Sequence, residues 1–184
     1  MRRILHVLIA VGALIGVAVF MAATSRATDG GNGTGGGAAA SILIGEMPVG
    51  YRDWKLISVA HEEGELNDIR AVLGNDAAIK ACREGGEKTV FPDGSIIARL
   101  AWRYSPSEEN NKVFGRAQSF VAGPPVNGVQ FMVKDSRKYA PTGGWGFAQF
   151  DDGKPLKDET MLHSCFTCHT LIKDRDFVFT RYAP

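Results

Sequence analysis

The sequence lacks several features that would point to common classes of function. It has no excess of basic residues, because 21 lysines and arginines stand against 20 aspartates and glutamates. Nothing in its charge therefore suggests nucleic-acid binding. No internal repeat is visible, and the chain has only three cysteines. A second C-x-x-C pair, which would help to complete a zinc site, does not occur. What the sequence does contain is one short motif near its C-terminal end.

That motif is Cys165-Phe166-Thr167-Cys168-His169, a C-x-x-C-H run. Its two thiols can each add across a vinyl group of a haem, and the histidine that follows can bind the iron. A zinc site would need further ligands, and His163 is the only other soft ligand close by. A thioredoxin-like pair normally follows a strand near the start of a βαβ unit, whereas only fifteen residues follow His169. The motif thus predicts one haem c, attached through Cys165 and Cys168, with His169 as the metal ligand.

The N-terminal segment indicates export. Arginines at positions 2 and 3 precede a stretch up to residue 23 that is almost wholly apolar. Small side chains at positions 25 and 27 favour a cleavage site before Thr28. The apolar run is also long enough to span a bilayer, so residues 1–27 are either a signal peptide or an uncleaved membrane anchor. The folded part is predicted to be periplasmic, soluble after cleavage or tethered to the outer face of the inner membrane.

The remainder divides into a linker and one domain. Residues 28–45 contain six glycines between positions 30 and 37 and are predicted to form a flexible linker. Residues 46–184, about 140 residues, suffice for one domain with its own core. Cys82 has no disulfide partner once the other two cysteines carry haem, so it is predicted to be a buried free thiol.

The hydrophobic pattern of the domain predicts a sheet with few helices. Polar and apolar residues alternate with period two, between clusters of Gly, Pro, Asn and Asp. The predicted strands are 54–60, 66–73, 95–104, 117–122, 128–133, 145–150 and, less clearly patterned, 177–181. Helices are predicted from Asp76 through Arg83, after a cap at Asn75, and from 157 or 158 through 170. The fold class is therefore α+β, an antiparallel sheet with peripheral helices and a C-terminal haem-attachment helix.

Two common haem architectures do not fit this pattern. In small helical electron-transfer cytochromes the motif comes early and a methionine ligand follows, whereas no Met or His follows His169. Four-helix cytochromes c′ need long amphipathic helices, which the many Gly and Pro breaks exclude. A β-rich haem domain remains.

Several short blocks resemble the cytochrome P-460 family, which includes the β-type cytochromes c′. The resemblance covers residues 48–184, and the block that ends it is the most specific. The blocks are Tyr51-Arg52-Asp53-Trp54, Asn67-Asp68-Ile69-Arg70, Phe91-Pro92-Asp93-Gly94, Val133-Lys134-Asp135-Ser136, Trp145-Gly146-Phe147, the C-x-x-C-H run and Asp176-Phe177-Val178-Phe179-Thr180-Arg181. The resemblance implies an antiparallel sheet with peripheral helices, a homodimer, and a haem iron that is five-coordinate through the motif histidine.

The resemblance also implies that the distal pocket distinguishes members of the family. Hydroxylamine-oxidising members join a lysine to the porphyrin, whereas β-type cytochromes c′ cap the pocket with aromatic side chains and bind nitric oxide or carbon monoxide. The lysine position falls on Arg99, and a guanidinium is a poor nucleophile, so the crosslink is not expected. The position of an acidic group falls on Gln130, which weakens a proton relay. Arg70 is either in the distal pocket, near a propionate, or in a salt bridge on the sheet face. Arg70, Arg99 and Gln130 are thus the candidate catalytic residues of the distal pocket.

An open sixth position on the iron is expected. His163 is two residues from Cys165 on the predicted helix and faces away, and His61 lies in an acidic stretch typical of a solvated loop. Met132 and Met161 are of a type that more often fills cores than binds iron. Aromatic residues predicted to surround the haem are Phe91, Trp102, Phe120, Phe131, Trp145 and Phe147.

These observations favour an exported monohaem c-type cytochrome that binds or redox-transforms a small nitrogen oxide, such as nitric oxide or hydroxylamine. It would exchange electrons with a redox partner protein. A hydroxylamine- or nitric-oxide-transforming enzyme remains an alternative, as does an electron-transfer cytochrome with a sixth haem ligand. Membrane contact is expected only if the N-terminal segment is uncleaved.

Overall fold

The computed structural model describes residues 41–183 of the chain. The predicted signal peptide or anchor and residues 28–40 of the predicted linker lie outside the described residues. Within residues 41–183, no helix has both the length and the apolar character needed to cross a membrane.

One six-stranded antiparallel sheet forms the centre of the described structure. Its strands are β1 (Lys55–Glu62), β2 (Asp68–Gly74), β3 (Ile96–Pro106), β4 (Phe120–Lys134), β5 (Trp145–Asp151) and β6 (Lys154–Pro155). Each strand pairs with the next one along the chain, so the spatial order equals the sequence order. The α+β fold with an antiparallel sheet is thereby confirmed.

Three α-helices and four short 3₁₀ segments accompany the sheet within residues 41–183. The helices are α1 (Asp76–Gly85), α2 (Glu108–Phe114) and α3 (Glu159–His169), and the 3₁₀ segments are Tyr51–Asp53, Gly86–Lys88, Ala140–Thr142 and Thr170–Arg175. Each helix begins after a polar cap, because the side chains of Asn75, Ser107 and Asp158 accept backbone hydrogen bonds from the first turn. The predicted C-terminal helix carrying the motif is confirmed as α3.

The two faces of the sheet bury separate apolar clusters, as strand alternation requires. On β4, Met132 belongs to the cluster that includes residues of α1 and α3, whereas Phe131 belongs to the other cluster. We call these faces the helix face and the far face. Cys82 of α1 is buried on the helix face, with 5% of its surface exposed, which confirms the predicted buried thiol.

Four expectations from the sequence need correction. Segments 117–122 and 128–133 do not form two strands, because β4 runs through both. Residues 177–181 form no strand, and α2 was not predicted. The folded part also begins before residue 46, since Ile42 and Ile44 are buried and Leu43 forms a parallel bridge with Phe147. The glycines that precede residues 42–44 favoured the prediction of a linker there, although these three side chains are apolar.

Candidate functional site

Helix α3 presents the motif on one side. Cys165, Cys168 and His169 are related by three and four residues, a spacing that places side chains on the same face of a helix. The helix packs on the sheet through Leu162, which is 1% exposed, and Cys165 contacts the same cluster while Cys168 is exposed. Burial raises the pKa of the Cys165 thiol, which therefore stays protonated at neutral pH.

The imidazole of His169 is held in a defined orientation. Its Nδ1 lies 2.5 Å from the backbone carbonyl oxygen of Phe177. A carbonyl oxygen can only accept, so Nδ1 carries the hydrogen and Nε2 keeps a lone pair for a metal. Two rings pack edge-on against it, Phe147 at 5.4 Å and Phe179 at 5.1 Å between centroids. Burial lowers the pKa of His169, although the bond to Phe177 acts in the opposite direction, so the imidazole is neutral at pH 7.

These residues fit a covalently attached haem. The thiols lie one helical turn apart, and the adjacent histidine offers one metal-binding nitrogen. A porphyrin supplies four nitrogen ligands itself, so the protein needs to provide only axial ligands. Phe179, beside His169, is 47% exposed and gives the site an apolar wall. Among residues 41–183, no three or more His, Cys, Asp or Glu side chains cluster in a way that would hold a metal ion.

A row of polar side chains crosses the helix face next to this site. We call it the polar row, and it comprises Asp68, Arg70, Arg99, Gln130 and Gln149. Arg99, Gln130 and Gln149 occupy directly paired positions on β3, β4 and β5. The amide nitrogen of Gln130 donates to Gln149 Oε1 at 2.9 Å, and Gln130 Oε1 accepts from Arg99 at 2.8 Å. Gln149 is two residues from Phe147 on the same face, so the row runs beside the ring that contacts His169.

Asp68 anchors the other end of the polar row. Its side chain is fully buried, and its two oxygens accept hydrogen bonds from Arg70 at 2.9 and 3.0 Å and from Arg99 at 2.8 Å. Arg70 also contacts Glu62 at 3.2 Å. Burial, followed by the nearby Arg70, lowers the pKa of Arg99, while Asp68 and Glu62 favour its charged form. The positive charge of Arg99 also lowers the pKa of Cys165, opposing the larger effect of burial.

The structure thus brings together the three distal-pocket candidates from the sequence. Arg70 forms the sheet-face salt bridge, one of the alternatives considered for it, and Arg99 and Gln130 contact each other. Sequence reasoning missed Asp68 and Gln149. Period-two alternation would have found both, because Asp68 precedes Arg70 by two residues and Gln149 follows Phe147 by two.

The residues considered for a sixth iron ligand lie in different places. His61 is exposed in β1, not in a loop, and stacks on Tyr104 at 3.9 Å between centroids. Met132 is 9% exposed in the helix-face cluster. The sulfur of Met161 lies 3.8 Å from that of Cys165, and His163 is half-buried on α3.

The six aromatic residues predicted to surround the haem lie in different parts of the structure. Phe91, Trp145 and Phe147 belong to the helix-face cluster with α3. Phe131 and Trp102 belong to the far face, and Phe120 is 44% exposed. Composition suggested six aromatic neighbours of the haem, but strand register turns two of them to the opposite side of the sheet.

Comparison with known proteins gives one family match. The family described as Cytochrome P460 matches residues 48–180, which include the polar row, α3 and the segment that contacts His169. No curated protein matches the sequence closely enough to be compared with it.

Proposed function

The chain belongs to the cytochrome P460 family and is a haem-containing cytochrome, and from this premise we propose that it binds a small nitrogen oxide at a c-type haem. Cys165 and Cys168 would hold the haem through thioether bonds, and His169 would bind its iron. The observation that carries this assignment is the bond between His169 Nδ1 and the Phe177 carbonyl, which leaves Nε2 free for iron. When bound, the haem supplies one-electron chemistry and an iron centre that a small ligand can reach.

Arg99 is the residue proposed to contact the ligand. A guanidinium has five N–H donors, and the two bonds to Asp68 and Gln130 leave others available. Because Asp68 and Gln130 fix the guanidinium, it can donate to an oxygen or nitrogen atom without first losing side-chain freedom. Arg99 would thereby stabilise a bound nitric oxide or a related ligand.

Oxidation of hydroxylamine is less well supported by the polar row. That reaction must remove protons, which calls for a base beside the ligand. Both oxygens of Asp68 are engaged by arginines, and the amide of Gln130 does not take up a proton. The arrangement therefore favours binding, with electron exchange to a redox partner protein, over catalysis of this oxidation. An electron-transfer cytochrome would instead require a firmly bound sixth ligand.

We further propose that the protein is exported to the periplasm and forms a homodimer. Export is supported by the basic and apolar N-terminal sequence. It is also supported by the proposed c-type haem, because attachment of haem to cysteine thiols requires that the chain be delivered to the periplasm. The mass of the purified holoprotein tests cleavage before Thr28 and, at the same time, the covalent addition of one haem. Light scattering of the same sample reports whether it is a dimer.

Optical spectra with and without nitric oxide test the central proposal. The ferrous protein is expected to be high-spin and five-coordinate, and to change its spectrum when the gas is added. A low-spin six-coordinate spectrum that ignores the gas would contradict the proposal and favour plain electron transfer. Hydroxylamine-dependent reduction of an electron acceptor over many turnovers would instead establish the enzymatic alternative.

A matched pair of variants tests the role of Arg99. Arg99→Gln removes a charged donor, so nitric oxide should dissociate about tenfold faster or more, as expected for the loss of one charge-assisted hydrogen bond. Arg103→Gln is the control, because Arg103 lies on the same face of β3 but is exposed and donates only to the Leu66 carbonyl. Equal dissociation rates for the two variants would exclude contact between Arg99 and the ligand.

A further inference from the structure

The segment after α3 has an unusual backbone. Asp176 and Phe177 both adopt left-handed conformations, with φ of 50° and 62°. Residues other than glycine rarely do so, because the conformation is strained, and it persists only where surrounding contacts hold it. The carbonyl of Phe177 is the acceptor for His169 Nδ1. The contacts that hold these two residues therefore also hold the acceptor in place.

Asp176 is fixed by three different partners. Its carboxylate accepts from Lys134 Nζ at 2.6 Å through one oxygen and from the Phe91 backbone N–H at 2.8 Å through the other. Its backbone carbonyl accepts from the indole N–H of Trp145 at 2.9 Å. The side chain is only 11% exposed. A carboxylate so enclosed is held more firmly than one in a surface ion pair.

Lys134 connects Asp176 to the sheet. It is the last residue of β4, its side chain is 10% exposed, and its ammonium also donates to the Gly143 carbonyl at 3.0 Å. The ammonium lies over the ring of Trp145, 5.0 Å from the centroid. Gly143 leaves room for the ring of Phe177, because a Cβ there would collide with that ring. Strand, ion pair and glycine thus all act on the position of Phe177.

We propose that the ion pair between Lys134 and Asp176 positions the Phe177 carbonyl for His169 and thereby sets the strength of the bond between His169 and iron. This inference rests on the proposed role of His169 as the axial ligand. A hydrogen bond from Nδ1 to an acceptor makes Nε2 more basic, which strengthens the metal bond. A more basic ligand favours the ferric state and lowers the reduction potential. Lys134 and Asp176 are positioning residues, since they act through Phe177.

Three variants of the holoprotein disturb the contacts that hold Asp176 and Phe177 in different ways. Asp176→Asn removes the negative charge, Lys134→Met removes the positive charge, and Gly143→Ala displaces Phe177 with no change in charge. The control is Asp93→Asn, which also removes a carboxylate that accepts two hydrogen bonds, here from the backbone and hydroxyl of Ser136. The readouts are the iron–histidine stretching band in the resonance Raman spectrum of the ferrous protein, and the reduction potential.

A positioning role predicts the same direction for all three variants. Each should move the iron–histidine band to lower wavenumber and raise the reduction potential, whereas Asp93→Asn should leave the band unchanged. A purely electrostatic role predicts opposite signs, because loss of a positive charge at Lys134 would lower the potential and loss of a negative charge at Asp176 would raise it. An unchanged band, or potentials that follow charge alone, would overturn the inference.

Failure of the proposed function can be told apart from failure of this inference. A wild-type protein without an iron–histidine band would contradict the five-coordinate haem, and the signs of the potential shifts would then still decide the role of the ion pair. If Asp176→Asn does not yield folded holoprotein, Lys134→Met and Gly143→Ala carry the same comparison.

Discussion

Replacement of Asp68 by asparagine should destabilise the protein strongly. The substitution removes the charge that two guanidinium groups share while leaving their positions nearly unchanged. Asp68 is fully buried, and the side chains of Arg70 and Arg99 are only 16% and 19% exposed, so water can replace little of the lost interaction. Removing one partner of a buried ion pair typically costs about 3–5 kcal/mol. In a domain of this size that cost corresponds to a fall of about 10–17 °C in Tm.

Thermal and urea unfolding of the holoprotein, followed by circular dichroism, measure this loss. The control is Asp76→Asn, because Asp76 pairs with Lys55 at the same 2.8 Å distance but its side chain is 91% exposed. The control should change the midpoint far less, since solvent screens an exposed pair. If the two variants unfold at similar midpoints, burial does not determine the strength of the ion pairs in the polar row, and the reasoning fails.

Two further predictions concern packing and thiol chemistry. Gly146→Ala should lower the free energy of unfolding by about 1–3 kcal/mol, because its Cβ would collide with the buried ring of Tyr139. Gly45→Ala, where a Cβ meets nothing within 4 Å, is the control, and equal Tm values would refute the packing argument. Burial raises the pKa of the Cys82 thiol, so at pH 8 native holoprotein should react with iodoacetamide much more slowly than protein in urea. Equal rates in the two states would show that the thiol is accessible.

Local sequence patterns predicted most of the helices and strands. The parts that they missed depend on how the strands pair. Asn75 followed by a short amphipathic run was sufficient to predict α1, since the cap acts within one turn. The segment from Gly123 to Gly128 suggested a break, yet β4 continues through it with a change of register. Asn127 and Gly128 adopt left-handed conformations there, a local irregularity that a strand can absorb without ending. No local rule distinguishes such a bulge from a turn, because the partners that stabilise it are distant: Trp102 pairs with Pro125 and Leu100 with Val129, 23 and 29 residues apart.

The candidate site was likewise predictable only where a local pattern carries the information. The motif predicted a haem, which the family match supports, whereas attachment through Cys165 and Cys168 and iron binding by His169 stay predictions. The sequence did not show which apolar side chains face α3. Phe131 and Met132 are adjacent and both apolar, and only their place in the sheet decides which of them faces the helix. The contacts that hold Asp176 could not be predicted either, because its partners come from three separate parts of the chain. Contacts between distant segments leave no mark in local sequence patterns.

Strand β4 carries parts of the polar row and of the ion pair with Asp176 on one face, and its geometry predicts that the two clusters contribute independently to stability. Gln130 lies in the polar row and Lys134 lies four residues further along, about 13 Å away at the rise of an extended strand. Perturbations separated by more than 7–10 Å, with no shared partners, usually add within about 0.5 kcal/mol. The double variant Arg99→Gln with Asp176→Asn should therefore lose as much unfolding free energy as the two single variants together. Urea unfolding of the four proteins measures this sum, and a discrepancy well above 0.5 kcal/mol would show that the strand couples the two clusters.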